Sequence, residues 1–293
     1  MKADRIRAWV QASRPPFFIA TLVPLFIGWT LARGAELHPG RFLLIVAACF
    51  MVHLATNLAN DYFDHLKGTD SGESIGGSRV IQEGKLSLRA LLRAIVVLYV
   101  LACLIALYLM ISLNLFLILP FVLFAFFSSL FYVAPPVRYG YHGLGELFVG
   151  INMGPIMVVG TYWVIAGQPA WKSLYVSIPI GLMVASILYY QSLPDMATDS
   201  AAGKRTLALR LGRKGSIIGL VVFFFLIYAS IMALVCLGIL TRIAGLCLVG
   251  IPLFLKLLFI MKRTSDWLLL DRYGRYVRML YFINGITIIA GLF

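Results

Sequence analysis

The chain has 293 residues, 61% hydrophobic and only 13% charged. A soluble domain carries about 25% charged residues, so the composition excludes an ordinary soluble enzyme and indicates a polytopic membrane protein. Its apolar runs are continuous rather than alternating, which favours helices over a barrel. The net charge of +13 reads as basic residues in membrane-flanking loops, and no nucleic-acid partner is expected.

The basic start, Met1 to Arg14, precedes an apolar run punctuated by Pro15, Pro16 and Pro24. It is read as leading into an uncleaved first span rather than as a signal peptide. A hydrocarbon core takes about 20 apolar residues per helix. That length predicts nine spans, at 17–32, 42–60, 91–111, 115–133, 147–166, 172–192, 216–239, 242–260 and 277–293. The expected fold is therefore all-α, one transmembrane domain over 1–293, organised as two four-helix halves plus a ninth helix.

The basic residues orient these spans. With the N-terminus cytoplasmic, twenty Lys and Arg fall in cytoplasmic segments and four, Arg33, Arg41, Lys172 and Arg242, on the opposite side. That bias obeys the positive-inside rule. It places two long polar loops, about 61–90 and 193–215, in the cytoplasm. The four cysteines lie inside apolar runs without metal-ligand spacing and are read as packing residues.

Six of the twelve acidic residues fall at the starts of those two loops: Asp61, Asp64, Asp70, Glu73, Asp195 and Asp199. Carboxylates beside a bilayer are costly unless paired. Asn57, Asn60, Asp61 and Asp64 are spaced i, i+3, i+4, i+7, which puts them on one helical face. Negative charge at a helix C-terminus opposes the macrodipole, and a cation would relieve the mismatch. Asp195 and Asp199 repeat the i, i+4 spacing after Pro194, followed by Lys204, Arg205 and Thr206. Carboxylates beside fixed cations suit a Mg²⁺–diphosphate complex, the acids holding the ions and Lys or Arg the remaining oxygens. The loop from Ser74 to Gln82 adds a Gly-Gly pair and Arg79; no P-loop pattern occurs, so an ATP-driven pump is not expected. His53 reads as a polar core residue on the second span, and nothing selects His65 or His142 for chemistry. An anion transporter would use the basic loops and a midplane site, but Lys256 is the lone candidate there.

Three stretches resemble the UbiA superfamily of intramembrane prenyltransferases. Asn60-Asp-Tyr-Phe-Asp64-His-Leu-Lys-Gly-Thr-Asp70 is similar to its first aspartate-rich motif, and Asp195-Met-Ala-Thr-Asp199 with Gly203 to Gly212 to its second. Tyr132 to Glu146 resembles the connection between its fourth and fifth spans in the menaquinone branch. Many members carry a third Asp where this chain has Gly68, with the acid at Asp70 instead. That form resembles the 1,4-dihydroxy-2-naphthoate prenyltransferases more than the 4-hydroxybenzoate ones. Leu193-Pro194 departs from the naphthoate pattern.

The resemblance implies transfer of a polyprenyl group from polyprenyl diphosphate to an aromatic acceptor, with Mg²⁺ as cofactor. It implies Asn60, Asp64, Asp195 and Asp199 as metal anchors and catalytic residues, Asp61 and Asp70 close to the metal, and Asn57 in support. Lys67, Arg79, Lys204 and Arg205 would neutralise the diphosphate. The expected setting is a bacterial or archaeal plasma membrane, the active site facing the cytoplasm and the prenyl tail lying among helices open to lipid. The acceptor favoured is 1,4-dihydroxy-2-naphthoate; 4-hydroxybenzoate, haem, a chlorophyll precursor and glycerol phosphate are the alternatives within the superfamily.

Overall fold

The computed structural model describes residues 2–69 and 76–293; the side chains of Lys2 and Ala3, and Asp70 and Glu73 among the acids, lie outside what it describes. Helices occupy all nine predicted stretches, and no strand occurs among the described residues. In chain order they are α1 Lys2–Ser13, α2 Ile19–Leu31, α3 Pro39–Lys67, α4 Leu88–Ser112, α5 Leu119–Phe131, α6 Gly145–Ile151, α7 Met157–Ala166, α8 Trp171–Gln191, α9 Met196–Ala201, α10 Leu207–Cys236, α11 Ile251–Arg263 and α12 Gly274–Gly291.

Six helical stretches are long and apolar enough to cross a membrane, and seven if α1 and α2, bent by 56° between Phe17 and Ile19, count as one span. The stretch Phe116–Phe131 is shorter. The protein is thus an integral membrane protein whose helices outnumber its full-length spans. Proline causes two of the irregularities: Pro15 and Pro16 form the bend after α1, and Pro155 sits in a π-helical turn, Asn152–Ile156, joining α6 to α7.

The most enclosed span is α8, with 72% of its apolar window buried. Glycine makes its crossing with α6 and the π turn. A Cβ on Gly154 would stand 2.6 Å from the Gly181 Cα, and one on Gly181 would stand 2.6 Å from the Gly150 carbonyl oxygen. Gly150 and Gly154 are spaced i, i+4, as in small-residue helix contacts within membranes, where backbones approach closely. Around α8, Ile180, Tyr189, Leu220, Phe224, Ile227 and Leu280 form the largest buried cluster. A second cluster gathers α1, α3, α4 and Val80 near the first acidic loop.

The helix ends that carry the acids differ from expectation in length. The second span was expected to stop near 60, but α3 continues to Lys67 and ends on Gly68, whose φ is +77. Asn57 to Asp64 therefore all lie on helix. Gly68 supplies the left-handed cap, with Thr69 N–H donating to the Asp64 carbonyl at 3.0 Å. The seventh span begins earlier than expected, at Leu207, with a break at Gly212 (φ 63, ψ 179). The Thr206 hydroxyl caps it by accepting from Leu209 N–H at 3.4 Å.

Candidate functional site

Of the four polar residues expected on one face of α3, Asn57, Asp61 and Asp64 each meet different partners, and Asn60 Oδ1 meets none. Asp61, only 3% exposed, takes Arg14 Nη2 at 2.5 Å on Oδ1. The same oxygen accepts the Ser78 backbone N–H at 3.0 Å, and Oδ2 accepts the Ser78 hydroxyl. Asp61 was expected beside the metal, yet both of its oxygens are committed to pinning the first loop and the α1–α2 bend onto α3. Arg14 holds a left-handed backbone conformation there, φ 53. Asn57 donates to the Ser13 carbonyl at 3.2 Å. Asn60 leaves its Oδ1 buried without a hydrogen-bond partner.

Asp64 faces the second cluster. Its Oδ1 accepts the Tyr141 hydroxyl, and its Oδ2 lies 3.3 Å from Lys204 Nζ. The same ammonium lies 3.1 Å from Asp199 Oδ1. The two acids are each 13% exposed and the lysine 15%. Asp195 begins α9, its carbonyl accepting Asp199 N–H at 2.8 Å. Its Oδ1 is buried with no partner.

The electrostatics follow from this crowding. Burial, reinforced by the charge of Asp199, pushes the Asp195 carboxyl up to about 6. Burial also raises Asp199, against the pull of Lys204. Burial opposes the charge on Lys204, but Asp64 and Asp199 outweigh it and hold the ammonium above the ordinary lysine range. Among the described residues no three His, Cys, Asp or Glu side chains come close enough to enclose a metal. Lys204 bridges Asp64 and Asp199, so an ammonium stands between these two carboxylates.

The expected diphosphate cations divide. Lys204 is central. Lys67 Nζ lies 3.7 Å from the centre of the Tyr141 ring, whose hydroxyl meets Asp64. The Arg205 side chain is exposed, and its contribution is main-chain: its N–H donates to the Tyr141 carbonyl at 2.8 Å. Arg79 is half-buried with a left-handed φ of 62 and lies in the turn that Glu83 closes, its carbonyl accepting Glu83 N–H at 2.9 Å. Three residues not selected from the sequence complete the site. Arg14 and Ser78 bind Asp61, and Tyr141 touches Asp64, Lys67 and Lys204. Tyr141 lay within the quoted 132–146 stretch, but only the fold shows that this loop closes over α3.

A cavity of about 330 Å³ lies among the helices beside the polar face of α3. Arg14, Asn57, Asn60 and Gln191 line its polar end; His53, Tyr132 and Asn152 follow, and Phe121, Ile156 and Val164 line the apolar remainder. It is within the size range of small-molecule sites, roughly 300–1,000 Å³.

The profile of the UbiA prenyltransferase family matches residues 21–268. The chain belongs to the UbiA prenyltransferase family. It is accordingly an enzyme, a prenyltransferase. Among its relatives, the 1,4-dihydroxy-2-naphthoate octaprenyltransferase of Bacillus subtilis is 30% identical over 230 residues, 78% of this chain and 73% of that one. The apo structure of a UbiA homologue from Aeropyrum pernix superposes with a TM-score of 0.73 at 19% identity, covering 94% of this chain and 98% of the other. A UbiA homologue from Archaeoglobus fulgidus bound to DMAPP and Mg²⁺ gives 0.64 at 14% identity over 96% and 99%. These similarities place the fold in the family.

Proposed function

We propose that this UbiA-family enzyme transfers a polyprenyl group from polyprenyl diphosphate to 1,4-dihydroxy-2-naphthoate, with Mg²⁺, at the cytoplasmic face of a bacterial or archaeal plasma membrane. The observation that carries this reading is the meeting of Asp64 and Asp199 on one ammonium, one helical turn along α3 from Asn60, which lines an apolar cavity. The acceptor rests on the 30% identity to the naphthoate enzyme of Bacillus subtilis and on the Lys67-Gly68-Thr69-Asp70 form of the first motif. The relative from Archaeoglobus fulgidus, bound to DMAPP and Mg²⁺, supports the donor class and the ion. A single domain over 1–293 and nine crossings, with the short stretch Phe116–Phe131 and helix α12 among them, belong to the same reading.

The donor set fits Mg²⁺. Asn60 Oδ1 and Asp195 Oδ1 are hard oxygens, buried and unsatisfied, and such groups cost free energy until a partner arrives. With Asp64 and Asp199, and with Asp70 from the adjoining loop, they would hold the ion by a few carboxylates and leave room for phosphate oxygens, as Mg²⁺ prefers. Bound there, Mg²⁺ would stabilise the charge developing on the diphosphate leaving group.

The chain's own residues supply the rest. Lys204 and Lys67 present ammonium groups to phosphate oxygens. The Tyr141 hydroxyl fixes the Asp64 carboxylate, so the acid does not reorganise during the reaction. Asp61 holds the α1–α2 bend and the first loop in place through Arg14 and Ser78. The apolar cavity receives the prenyl chain and keeps water from the allylic cation. The rings of Tyr132 and Tyr139 line it beside the polar end and offer π faces to that cation.

The test is incubation of the purified protein with a labelled polyprenyl diphosphate and a panel of aromatic acceptors, with and without chelator. Mass spectrometry should find a prenylated, decarboxylated naphthoquinol only when Mg²⁺ is present. Prenylation of another acceptor in preference overturns the substrate assignment. Diphosphate release that persists in chelator overturns the role of the ion.

A further inference from the structure

A second hollow lies on the outer surface of the helices and shares no lining residue with the first cavity. It measures about 400 Å³ and lies among α6, α8 and α10, lined by Gly143, Glu146, Leu147, Ile178, Gly181 and Phe223. Its origin is the close crossing of α6 and α8. Gly150 and Gly181, whose backbones touch there, line the hollow together with Ala185 and Pro155. Leu147 and Ile178 on its rim are 57% and 47% exposed, as residues facing lipid would be.

One residue does not belong in an apolar groove. Glu146 is only 7% exposed, and among the described residues no side chain pairs with its carboxylate. The donor that meets it is its own backbone N–H. An anion in such a setting calls for a cation or a proton. At the end of the groove Gly143 has φ +71, and a Cβ there would lie 3.2 Å from Arg210 Nε. Arg210 is exposed and anchored through Nη2 to the His142 carbonyl at 2.9 Å. A buried carboxyl therefore lines the apolar trough, and an exposed guanidinium stands beside its lining residue Gly143.

We propose that this groove is a binding site for a phospholipid with a primary ammonium headgroup. Glu146 takes the ammonium, Arg210 takes the phosphate, and one acyl chain lies along Gly181 and Phe223. The charges are complementary in sign to a zwitterionic headgroup, and the trough is open sideways for the chain. A choline headgroup has no N–H to give Glu146, and a glycerol headgroup has no positive charge. The lipid is bound rather than transformed, so the site is independent of which acceptor the enzyme prenylates.

Native mass spectrometry of the purified protein, exchanged into micelles containing equal amounts of phosphatidylethanolamine, phosphatidylcholine and phosphatidylglycerol, tests this. The expected result is one retained phosphatidylethanolamine, favoured severalfold over the other two. Glu146→Gln should erase that preference, and Ile178→Trp, which fills the exposed rim without touching the carboxylate, should displace the lipid. Equal retention of all three lipids by the unaltered protein, or a preference for phosphatidylethanolamine that survives both substitutions, overturns the proposal. Since no substrate is present, failure here leaves the prenyl-transfer reading intact, and failure of that reading leaves this one intact.

Discussion

Lys204 reaches Asp64 across 140 positions of sequence, Nζ to Oδ2 at 3.3 Å, and in doing so ties the second acidic loop to the first. In the proposed reaction, the ammonium that neutralises these acids also meets the phosphate of the incoming substrate. Lys204→Met should lower kcat/KM for the diphosphate about 10²- to 10³-fold, the usual loss when one donor to developing negative charge is removed. Steady-state diphosphate release checks it, and a loss below tenfold would remove Lys204 from the site.

Asp64→Ala and Asp199→Ala should each abolish Mg²⁺-dependent diphosphate release while the protein still inserts and purifies. Full activity in either variant refutes the metal assignment. Each substitution also unpairs one side of Lys204, so the variants should show weaker stabilisation by Mg²⁺ in thermal denaturation.

Asp61→Ala should behave in the opposite manner, as a stability variant. Its carboxylate is buried against Arg14 and Ser78, and breaking a buried ion pair by removing one partner costs about 3–5 kcal/mol. Melting of the purified protein should fall by many degrees, and the double variant with Arg14→Met should recover part of the loss. A normal melting temperature would mean that Asp61 serves the reaction and not the fold.

Tyr141→Phe removes only the hydroxyl that donates to Asp64. A hydrogen bond to a charged group contributes about 1.5–3 kcal/mol, so kcat/KM should drop by about ten- to a hundredfold, with the Lys67 contact to the ring preserved. Unchanged kinetics would show that Asp64 is positioned without it.

Acidity should act through Asp195. Its carboxyl, pushed up to about 6 by burial and by Asp199, binds a proton more readily in the fold than in the unfolded chain. It therefore favours the metal-free fold most below the ordinary carboxylate range, and that contribution is lost as pH rises through about 6. The melting temperature of the unaltered protein minus that of Asp195→Asn should fall between pH 4 and pH 7 in chelator. Mg²⁺ needs the ionised form, so its stabilising effect should grow across the same interval. A difference independent of pH would contradict this.

Much of this architecture was legible because helices in a bilayer must be apolar and about twenty residues long, and each expected span coincides with a helical stretch. Boundaries moved where local chemistry outweighed hydropathy. Helix α3 runs on through its polar residues to Gly68 because the left-handed glycine, not the onset of polarity, ends it. The departure noted at position 68 has the same cause, since a helix cap occupies the place where an acid was looked for. Spacing put Asn57, Asn60, Asp61 and Asp64 on one face, which a face of that width allows, but it did not reveal that Arg14 and Ser78 would claim Asp61. Partners 17 and 47 positions away leave no periodic trace. Tyr141 was hidden for the same reason, because its role depends on how two loops meet.

On the side of the 141–142 loop, that meeting uses main-chain carbonyls. Arg205 N–H donates to the Tyr141 carbonyl, and the His142 carbonyl receives Arg210. A joint built this way is indifferent to which side chains stand at 141, 142 and 205. Sequence drift can thus retune charge and aromatic character around the diphosphate while the two loops stay in register, which gives this scaffold latitude to accept new substrates without rebuilding its frame.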